Sequence, residues 1–400
     1  MTILSWPDNE ADFRRAIRQW IEDNCPLSMR GPNRGLEDIC WGGRRWTFAS
    51  DDQRLWLERA AAAGLTVPGW PCEYGGAGLT PWQQRIFDEE MTALEARSPL
   101  ESFGIWMLGP ALLKFGTEEQ KRIHLPPIAR GEIRWCQGYS EPEAGSDLAS
   151  LKTRAEDHGD HFIVNGQKIW TSYADEADWI FFLARTDPSA PKHRGISFLL
   201  ADMDSAGIST RPIRLISGKS PFCETFFDNV RVPKENLVGA VNDGWTVAKY
   251  LLAHEREMIG GGARGLQDSL PLHRVVQEFV RPGHDPFADA DLRQRIARAE
   301  IDALALAQTV DRYLEMAQGG EGVGDKSSVI KYCAAEQNKR RQSLILEAAG
   351  IDGLAWDTTR ADGSSLARNW LRARANSIEG GTAEIMLGII AQRLLDLPRG

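Results

Sequence analysis

The sequence predicts an α+β protein that is mostly helical, with a helical N-terminal domain, a β domain in the middle and a C-terminal helical bundle. Three observations support this order. Apolar residues recur at helical spacing near the N-terminus, short β-type runs follow at roughly ten-residue spacing, and a long helical stripe returns after residue 240. The predicted boundaries are 1–134, 135–239 and 240–400.

The N-terminal domain is predicted to contain amphipathic helices. In "NEADFRRAIRQWIEDN", Phe13, Ile17, Trp20 and Ile21 lie three or four residues apart and form one apolar stripe. A second helix is predicted in "PWQQRIFDEEMTALEA". Between them, "VPGWPCEYGGAGLTP" is dense in glycine and proline, which predicts a structured loop.

The middle of the chain carries β-type runs. "HFIVNGQKIW" places Asn165-Gly166 between two such runs, which predicts a hairpin turn. "ADWIFFLART", "GISFLLADM", "GISTRPIRL" and "CETFFDNVRVP" follow, separated by turn-forming residues. This rhythm predicts a compact antiparallel sheet or barrel.

The C-terminal part is predicted to be a helical bundle. A stripe with alternating three- and four-residue spacing predicts one long helix, which ends at "QGGEGVGD" before a further helix in "SSVIKYCAAEQNKRRQSLILEAAG". The stripe consists of Leu292, Ile296, Ala299, Ala303, Leu306, Val310 and Leu314.

Composition narrows the class of protein. A net charge of −9 gives no electrostatic case for binding nucleic acid. The absence of an 18-residue apolar run and of a signal peptide predicts no membrane span. The cysteines are scattered without metal-type spacing, which predicts free thiols, no metal site and a cytoplasmic location. They are Cys25, Cys40, Cys72, Cys136, Cys223 and Cys333.

Two motifs resemble known sites only in part. Gly260, Gly262 and Gly265 match G-x-G-x-x-G, but a helical segment precedes them, so close helix packing is favoured over a dinucleotide turn. In "HEREM", Met258 stands where a zinc-binding helix needs its second histidine, which excludes zinc. Glu255 remains either a candidate base or a surface glutamate.

Two segments combine small hydroxyls with glycine or an aromatic ring. "YSEPEAGSDLAS" offers Ser140 and Ser146 beside Gly145, a pattern that suits phosphate binding or an ordinary loop. "KIWTSY" places Trp170 two residues before Ser172, a pair that suits either a planar ring or a sheet edge with an aromatic plug.

Four segments resemble the acyl-CoA dehydrogenase family, in the same order and at compatible spacing: "YSEPEAGSDLASLKTRA", "HFIVNGQKIWTS", "FFDNVRVPKENLVG" and "EGGTAEIMLGIIAQRLL". The "WPCEYGGAGL" loop also matches. The resemblance implies an α-helical domain, a central antiparallel β-barrel and a four-helix bundle. It further implies an FAD-dependent enzyme in which a carboxylate removes the α proton of an acyl-CoA and the β hydride goes to flavin N5. Electrons would pass to an electron-transfer flavoprotein, and the chain would form a homo-oligomer, a tetramer or a dimer.

The resemblance also assigns residues to the cofactor. Ser140 is expected at the pyrimidine edge of the flavin, Gly145 and Ser146 at the pyrophosphate, and Ser172 near N5. The full set of expected FAD-binding residues is Gln137, Tyr139, Ser140, Gly145, Ser146, Trp170, Thr171, Ser172, Thr382 and Glu384.

The expected position of the catalytic base departs from the commonest family pattern. In most members the catalytic glutamate immediately precedes Gly-Thr, but here Gly380 occupies that place and Glu379 comes one residue earlier. On helical backbone, a shift of one residue rotates a side chain by roughly 100°. Glu379 is therefore not a direct substitute.

Members of the isovaleryl- and long-chain-type carry the base on the first bundle helix, in a Glu-Arg pair. Glu255 and Arg256 supply this pair, so we expect Glu255 to be the base. A base for a weakly acidic α proton must be desolvated and have a raised pKa. Ser146, Arg256 and the N–H of Gly380 are expected to bind the substrate.

The pattern for the adenosine end of FAD departs from the family as well. Arg281 and Phe287 are too far apart to match the family's Arg-x-x-Phe motif, and only "LEAAGIDG" represents its Gln-x-x-Gly-Gly segment. These weakened motifs leave open a non-catalytic flavin-binding subunit of a heteromeric complex. A separate alternative is a different reaction on the same fold, that of an acyl-CoA oxidase or a flavin monooxygenase.

Overall fold

The computed structural model describes residues 5–31, 33, 38–252, 271–318, 324–356 and 365–398, without the side chains of residues 314, 315, 317 and 318. The chain divides into two compact units. The first comprises Met1–Ile213 and Pro221–Leu251, and the second comprises Arg214–Ser220 and Leu252–Gly400.

The first unit begins with helices, as predicted. Asn9 caps the first helix by accepting a hydrogen bond from the N–H of Asp12. Phe13, Ile17 and Ile21 are fully buried, which confirms the predicted apolar stripe. The helices are α1 (Glu10–Asn24), α2 (Asp51–Ala62), α3 (Pro81–Ala93), α4 (Gly109–Phe115), α5 (Glu118–Ala129) and α6, described from 244 to 252.

The sheet of the first unit follows the helices. Its strands lie in the order β6-β7-β3-β2-β4-β5-β8, and β1 pairs with β4. They are β1 (Trp135–Gly138), β2 (Arg154–Asp157), β3 (His161–Ser172), β4 (Trp179–Arg185), β5 (Ile196–Asp202), β6 (Ile208–Ile213), β7 (Phe222–Pro233) and β8 (Leu237–Val238).

Most strand pairs are antiparallel, as predicted, but β1 and β2 both pair parallel with β4. Parallel strands need a longer connection than a hairpin, and here β3 lies in the chain between β2 and β4. The sheet is packed over buried aromatic and aliphatic side chains, among them Phe182 and Phe227, whose rings stack 4.8 Å apart.

The predicted turn at Asn165-Gly166 is wrong. Residues 161–172 form one continuous strand, β3, which pairs with both β2 and β7. The register with β7 shifts between Val164 and Gly166, so the glycine marks a β-bulge. A β-carbon on Gly166 would lie 2.7 Å from the Cα of Thr153, and this close approach of two backbones explains the glycine.

The second unit is helical. Helix α8 carries the predicted stripe, with Leu292, Ile296, Leu306 and Val310 buried. The Gly260–Gly265 motif lies outside the described residues, as does "HEREM". The described helices of this unit are α7 (Leu272–Gln277), α8 (Ala290–Gln318), α9 (Ser327–Ala349), α10 (Leu366–Ala373) and α11 (Ala383–Ile389).

Two further observations concern the whole described chain. Among the described helices, none combines the length and the apolar character that crossing a lipid bilayer requires. All six cysteines are free thiols, as their spacing predicted.

Candidate functional site

The first candidate flavin segment follows β1. Gln137 lies in β1 opposite Phe181, and Tyr139 is buried just after the strand ends. The carbonyl of Ser140 accepts a hydrogen bond from the N–H of Ile169 at 2.9 Å. Gly145 and Ser146 are exposed, and among the described residues no atom beyond the chain neighbours of Gly145 lies within 4 Å of the place that a β-carbon on it would take.

The second candidate flavin segment is the end of β3. Register with β7 shifts between Lys168 and Thr171, and Trp170 within this bulge has a left-handed backbone with φ of 61°. Such a conformation is unusual for a bulky residue and is found where a fold must aim a side chain. Trp170 is 52% exposed and meets Phe222 edge to face at 6.1 Å.

The two other residues of this segment differ in exposure. Thr171 is fully buried, and its hydroxyl has no hydrogen-bond partner among the described residues. Ser172 is half-buried. The side chains that a ligand can reach here are therefore Trp170 and Ser172.

A buried ion pair between the two segments was not anticipated from the sequence. Lys168 Nζ lies 2.7 Å from Glu141 Oε1, and the lysine is fully buried. The alternation of residues along β3 does contain a sign of this ion pair. Phe162, Val164 and Lys168 share one face of β3 by period-two spacing, so a charge stands on the core side of the strand.

The Gly-Gly-Thr segment lies in the second unit, before α11. Gly380 and Gly381 have φ of 62° and 95°, a backbone that favours glycine. Thr382 caps α11 by accepting from the N–H of Ile385 at 3.3 Å. Glu384 is exposed in the first turn, where its backbone N–H and the Thr382 hydroxyl lower the pKa of its carboxyl.

Glu379 is held in place by two neighbours. Arg372 Nη1 and Nη2 donate to its two carboxylate oxygens at 3.1 and 2.7 Å, and the side-chain amide of Asn376 donates at 2.5 Å. Three donors therefore occupy this carboxylate and fix its orientation. This arrangement is that of a structural residue and supports the expectation that Glu379 is not the base.

Lys331 of α9 fixes the same turn from the other side. Its buried ammonium donates to the carbonyls of Asn376 at 3.0 Å and Gly381 at 2.5 Å. Burial lowers the pKa of Lys331, and the nearby glutamates, Glu379 first, oppose this shift. Lys331 therefore holds both ends of the turn that contains Gly380, and its role was not anticipated from the sequence.

Two predicted site residues, Glu255 and Arg256, lie outside the described residues. A cavity of about 540 Å³ in the first unit has a lining that includes Trp70, Lys114 and Tyr250, and none of the predicted site residues that the structure describes lines it. In the ranges that the structure describes, no cluster of three or more His, Cys, Asp or Glu side chains could hold a metal ion.

Family models establish what the chain is related to. The N-terminal, middle and C-terminal domain models of acyl-CoA dehydrogenases match residues 42–132, 136–230 and 242–395. The chain belongs to the acyl-CoA dehydrogenase family, whose members are FAD flavoproteins. The predicted family, fold class, class of enzyme and cofactor are thereby confirmed.

Comparisons with individual proteins give the same family. The chain is 38% identical over 392 residues to the acyl-CoA dehydrogenase IpdE1 of Mycobacterium tuberculosis (strain ATCC 25618 / H37Rv), covering 97% of this chain and 98% of that protein. It is 36% identical to the glutaryl-CoA dehydrogenase of Desulfococcus multivorans over 296 residues, covering 71% and 75% of the two chains. The solved structure of the Tcur3481-Tcur3483 steroid ACAD matches with a TM-score of 0.77 at 29% identity and covers 100% of both chains. The ChsE4-ChsE5 complex from Mycobacterium tuberculosis matches with a TM-score of 0.74 at 28% identity, covering 99% and 100%.

The residues of the first unit fit a flavin. A half-exposed indole held in a strained backbone supplies an apolar surface for a planar ring, and Ser172 supplies a hydroxyl beside it. The open space beside Gly145 and the exposed hydroxyl of Ser146 suit a bulky anionic group. The segments therefore offer what the ring system and the pyrophosphate of such a cofactor require.

Proposed function

We propose that this protein is an FAD-dependent acyl-CoA dehydrogenase that desaturates an acyl-CoA thioester between its α and β carbons, with Glu255 as the base. The observation that carries the assignment of the base is the state of Glu379, which Arg372 and Asn376 occupy with three hydrogen bonds. A base needs a carboxylate free to accept a proton. Glu255 is the remaining family-type candidate, in its Glu-Arg pair.

In the proposed reaction Glu255 accepts the α proton of the thioester. The backbone N–H of Gly380 donates a hydrogen bond to the thioester oxygen, which stabilises the negative charge that develops there. The left-handed backbone of Gly380, with φ of 62°, supports this role, because the chain turns at this residue instead of continuing as a helix. Arg256 and Ser146 are proposed to contact the CoA moiety.

The cofactor is proposed to bind along the two segments of the first unit. Ser140 and Ser172 would meet the ring system, Trp170 would cover it, and Gly145 and Ser146 would hold the pyrophosphate. Gln137, Tyr139, Thr171, Thr382 and Glu384 complete the proposed set. When bound, FAD supplies the acceptor for the β hydride.

The acyl group is proposed to carry fused rings, as in steroid-derived thioesters. The steroid ACAD covers the whole chain in structure. A second support is an aromatic cluster beside Ser172, in which the ring of Trp41 lies 5.2 Å from Tyr173, 6.0 Å from Phe103 and 6.1 Å from Trp106. Half-exposed aromatic faces of this kind pack well against flat apolar rings.

The test is an anaerobic titration of the purified flavoprotein with straight, branched, aromatic and steroid-side-chain acyl-CoA esters, following the loss of flavin absorbance. We expect bleaching that is strongest with a ring-bearing ester and that Glu255→Gln abolishes. Turnover near the wild-type rate in Glu255→Gln would overturn the base. Rapid reoxidation by air with formation of peroxide would instead indicate an oxidase.

Three further properties belong to this proposal. Electrons are proposed to pass to an electron-transfer flavoprotein, the location is proposed to be the cytoplasm, and the domain boundaries are proposed to be those predicted. A dye-coupled assay with and without added electron-transfer flavoprotein tests the first. Faster turnover with the flavoprotein than with dye alone is the expected result.

A second candidate is a flavin-binding subunit of a heteromeric enzyme. Two solved relatives are named as pairs of different chains, Tcur3481-Tcur3483 and ChsE4-ChsE5. The spacing of Arg281 and Phe287, which departs from the family motif, also favours this candidate. The mass in solution and the FAD content of the chain purified alone separate the two. A flavin-loaded homo-oligomer, a tetramer or a dimer, supports the first candidate, and a chain that takes up no FAD when purified alone supports the second, in which the flavin site is complete only in the heteromer.

A further inference from the structure

Besides the backbone hydrogen bond between Ser140 and Ile169, a buried carboxylate fastens the loop that carries Ser140, Gly145 and Ser146 to β3. Glu141 Oε1 accepts from Lys168 Nζ at 2.7 Å and from the N–H of Thr153 at 3.0 Å, and Oε2 accepts from the N–H of Lys152 at 2.6 Å. The carboxylate therefore ties together the start of the loop, its end and the strand.

Lys168 completes this connection from the strand side. Its ammonium also donates to the carbonyl of Tyr139 at 3.3 Å, so it holds the residues on both sides of Ser140. Two residues further along β3 stands Trp170, in its left-handed backbone. One fully buried lysine thus lies between the two segments and contacts the first directly.

Burial and the attraction between the two charges act in opposite directions on the pKa values of both residues. Burial lowers the pKa of Lys168 to about 8, against the attraction of Glu141. Burial raises the pKa of Glu141, but the charge of Lys168 and the hydrogen bonds outweigh it, so the pKa is lowered overall. A pair buried in this way gives less stability than a well-packed apolar pair would, and its presence calls for another reason.

We propose that Glu141 and Lys168 are positioning residues, which fix residues 139–146 and 170–172 relative to each other and thereby determine how tightly FAD is held and the potential of the bound flavin. The inference rests on the proposed function, because that function assigns both segments to the flavin. Neither side chain needs to touch the cofactor, since both act through the backbone that they hold.

The test compares the wild-type holoenzyme with the double variant Glu141→Gln/Lys168→Met, which removes both charges and keeps the approximate volumes. We expect the Kd for FAD, measured by fluorescence of flavin released on dilution, to rise at least about tenfold, since every 1.4 kcal/mol is a factor of ten. We also expect a changed visible spectrum and a shifted midpoint potential in a dye-coupled titration.

Lys192→Met is the matched control. Lys192 Nζ lies 2.5 Å from Asp147 Oδ2 on the same loop, but both side chains are about half exposed. An exposed pair of this kind contributes little. We therefore expect the control to leave FAD binding, spectrum and potential as in the wild type.

The other possible results of this experiment distinguish failure of the inference from failure of the proposed function. A folded double variant with wild-type Kd, spectrum and potential overturns the inference and leaves the proposed function intact. If the double variant does not fold, Glu141→Gln alone carries the same measurements, because the unpaired lysine can then lose its proton. If this single variant fails to fold as well, the pair serves folding and the inference is wrong. A wild-type protein that binds no FAD overturns the proposed function itself.

Discussion

Arg372 holds Glu379 through both ends of its guanidinium group, with nitrogen–oxygen distances of 3.1 and 2.7 Å. The two residues connect α10 to the Gly-Gly turn, and each side chain is about one-third exposed. A pair in this setting contributes modestly to stability, because water screens it, but its bidentate geometry fixes where the carboxylate points. The Glu379 carboxylate, which precedes the Gly-Thr pair, is therefore held in the turn by Arg372.

Substitutions of Glu379 and Glu255 are therefore predicted to affect turnover very differently. We expect Glu379→Gln to keep kcat within about threefold of the wild type, a difference of less than 1 kcal/mol in activation free energy. Glu255→Gln should lose at least about 100-fold, the lower range for removal of a general base. Steady-state turnover with the best acyl-CoA measures both. Equal losses in the two variants would contradict the assignment.

Helices were predicted correctly from the sequence where the spacing of apolar residues alone defines the buried face of a single helix. Phe13, Ile17 and Ile21 are buried as their spacing indicated, and the stripe beginning at Leu292 lies on one helix. These patterns depend on the local chain alone, because the period of the apolar residues sets which face is buried.

The sequence did not predict the features that depend on contacts between residues far apart in the chain. An Asn-Gly pair suits a turn and a bulge equally, and only the approach of Thr153 shows that Gly166 belongs to a bulge. In the candidate site, the sequence displayed Glu379 but not the arginine that holds it. Likewise Glu141 and Lys168 stand 27 residues apart, and their contact follows from the fold alone.

Lys331 offers a test of how the turn at Gly380 is held. Lys331→Met keeps the length of the side chain but removes two hydrogen bonds to carbonyls, at 3.0 and 2.5 Å. Bonds from a charged donor are worth roughly 1.5–3 kcal/mol each, so the turn should shift and kcat/KM should fall about tenfold or more. FAD content is measured in parallel and kcat/KM is expressed per bound FAD, which separates this effect from loss of the cofactor.

The control for Lys331 lies on the same helix. Arg340 of α9 pairs with Asp302 at 2.5 Å, and both side chains are a little under half exposed. Arg340→Met should leave kcat/KM as in the wild type. If both variants lower kcat/KM equally, α9 acts through its general stability and the specific role of Lys331 is refuted.

His124 predicts a pH dependence of stability. Its ring is buried between Trp135 and Trp179, with centroids 5.3 and 5.0 Å away, and burial lowers its pKa to about 4. The unfolded chain binds the proton near the ordinary pKa of about 6.5, whereas the folded chain resists it. The stability is therefore complete above pH about 6.5 and is lost as the pH falls towards 4, by at most about 3 kcal/mol.

The thermal midpoint of the holoenzyme between pH 7.5 and 4.5 measures this effect. His124→Phe keeps the aromatic contacts and removes the titrating group, so its midpoint should fall less over the same range. Carboxyl groups titrate in this window too, and the difference between the two proteins cancels their contribution. Parallel curves would show that His124 does not carry the effect.

Gly166 provides the sharpest test of the bulge in β3. A β-carbon there would lie 2.5 Å from Thr153 Oγ1 and 2.7 Å from Thr153 Cα, so the backbone of one of the two strands must move. We expect Gly166→Ala to lower the free energy of unfolding by about 1–3 kcal/mol, the usual cost of overpacking. Gly388→Ala is the control, because the residue is helical and, in the part of the chain that the structure describes, no atom outside its own helical backbone and its chain neighbours lies within 4 Å of the added carbon. There alanine should be neutral or stabilising by up to about 1 kcal/mol. Denaturant unfolding of both variants gives the comparison, and a Gly166→Ala protein as stable as the wild type would mean that the two strands do not approach each other as described.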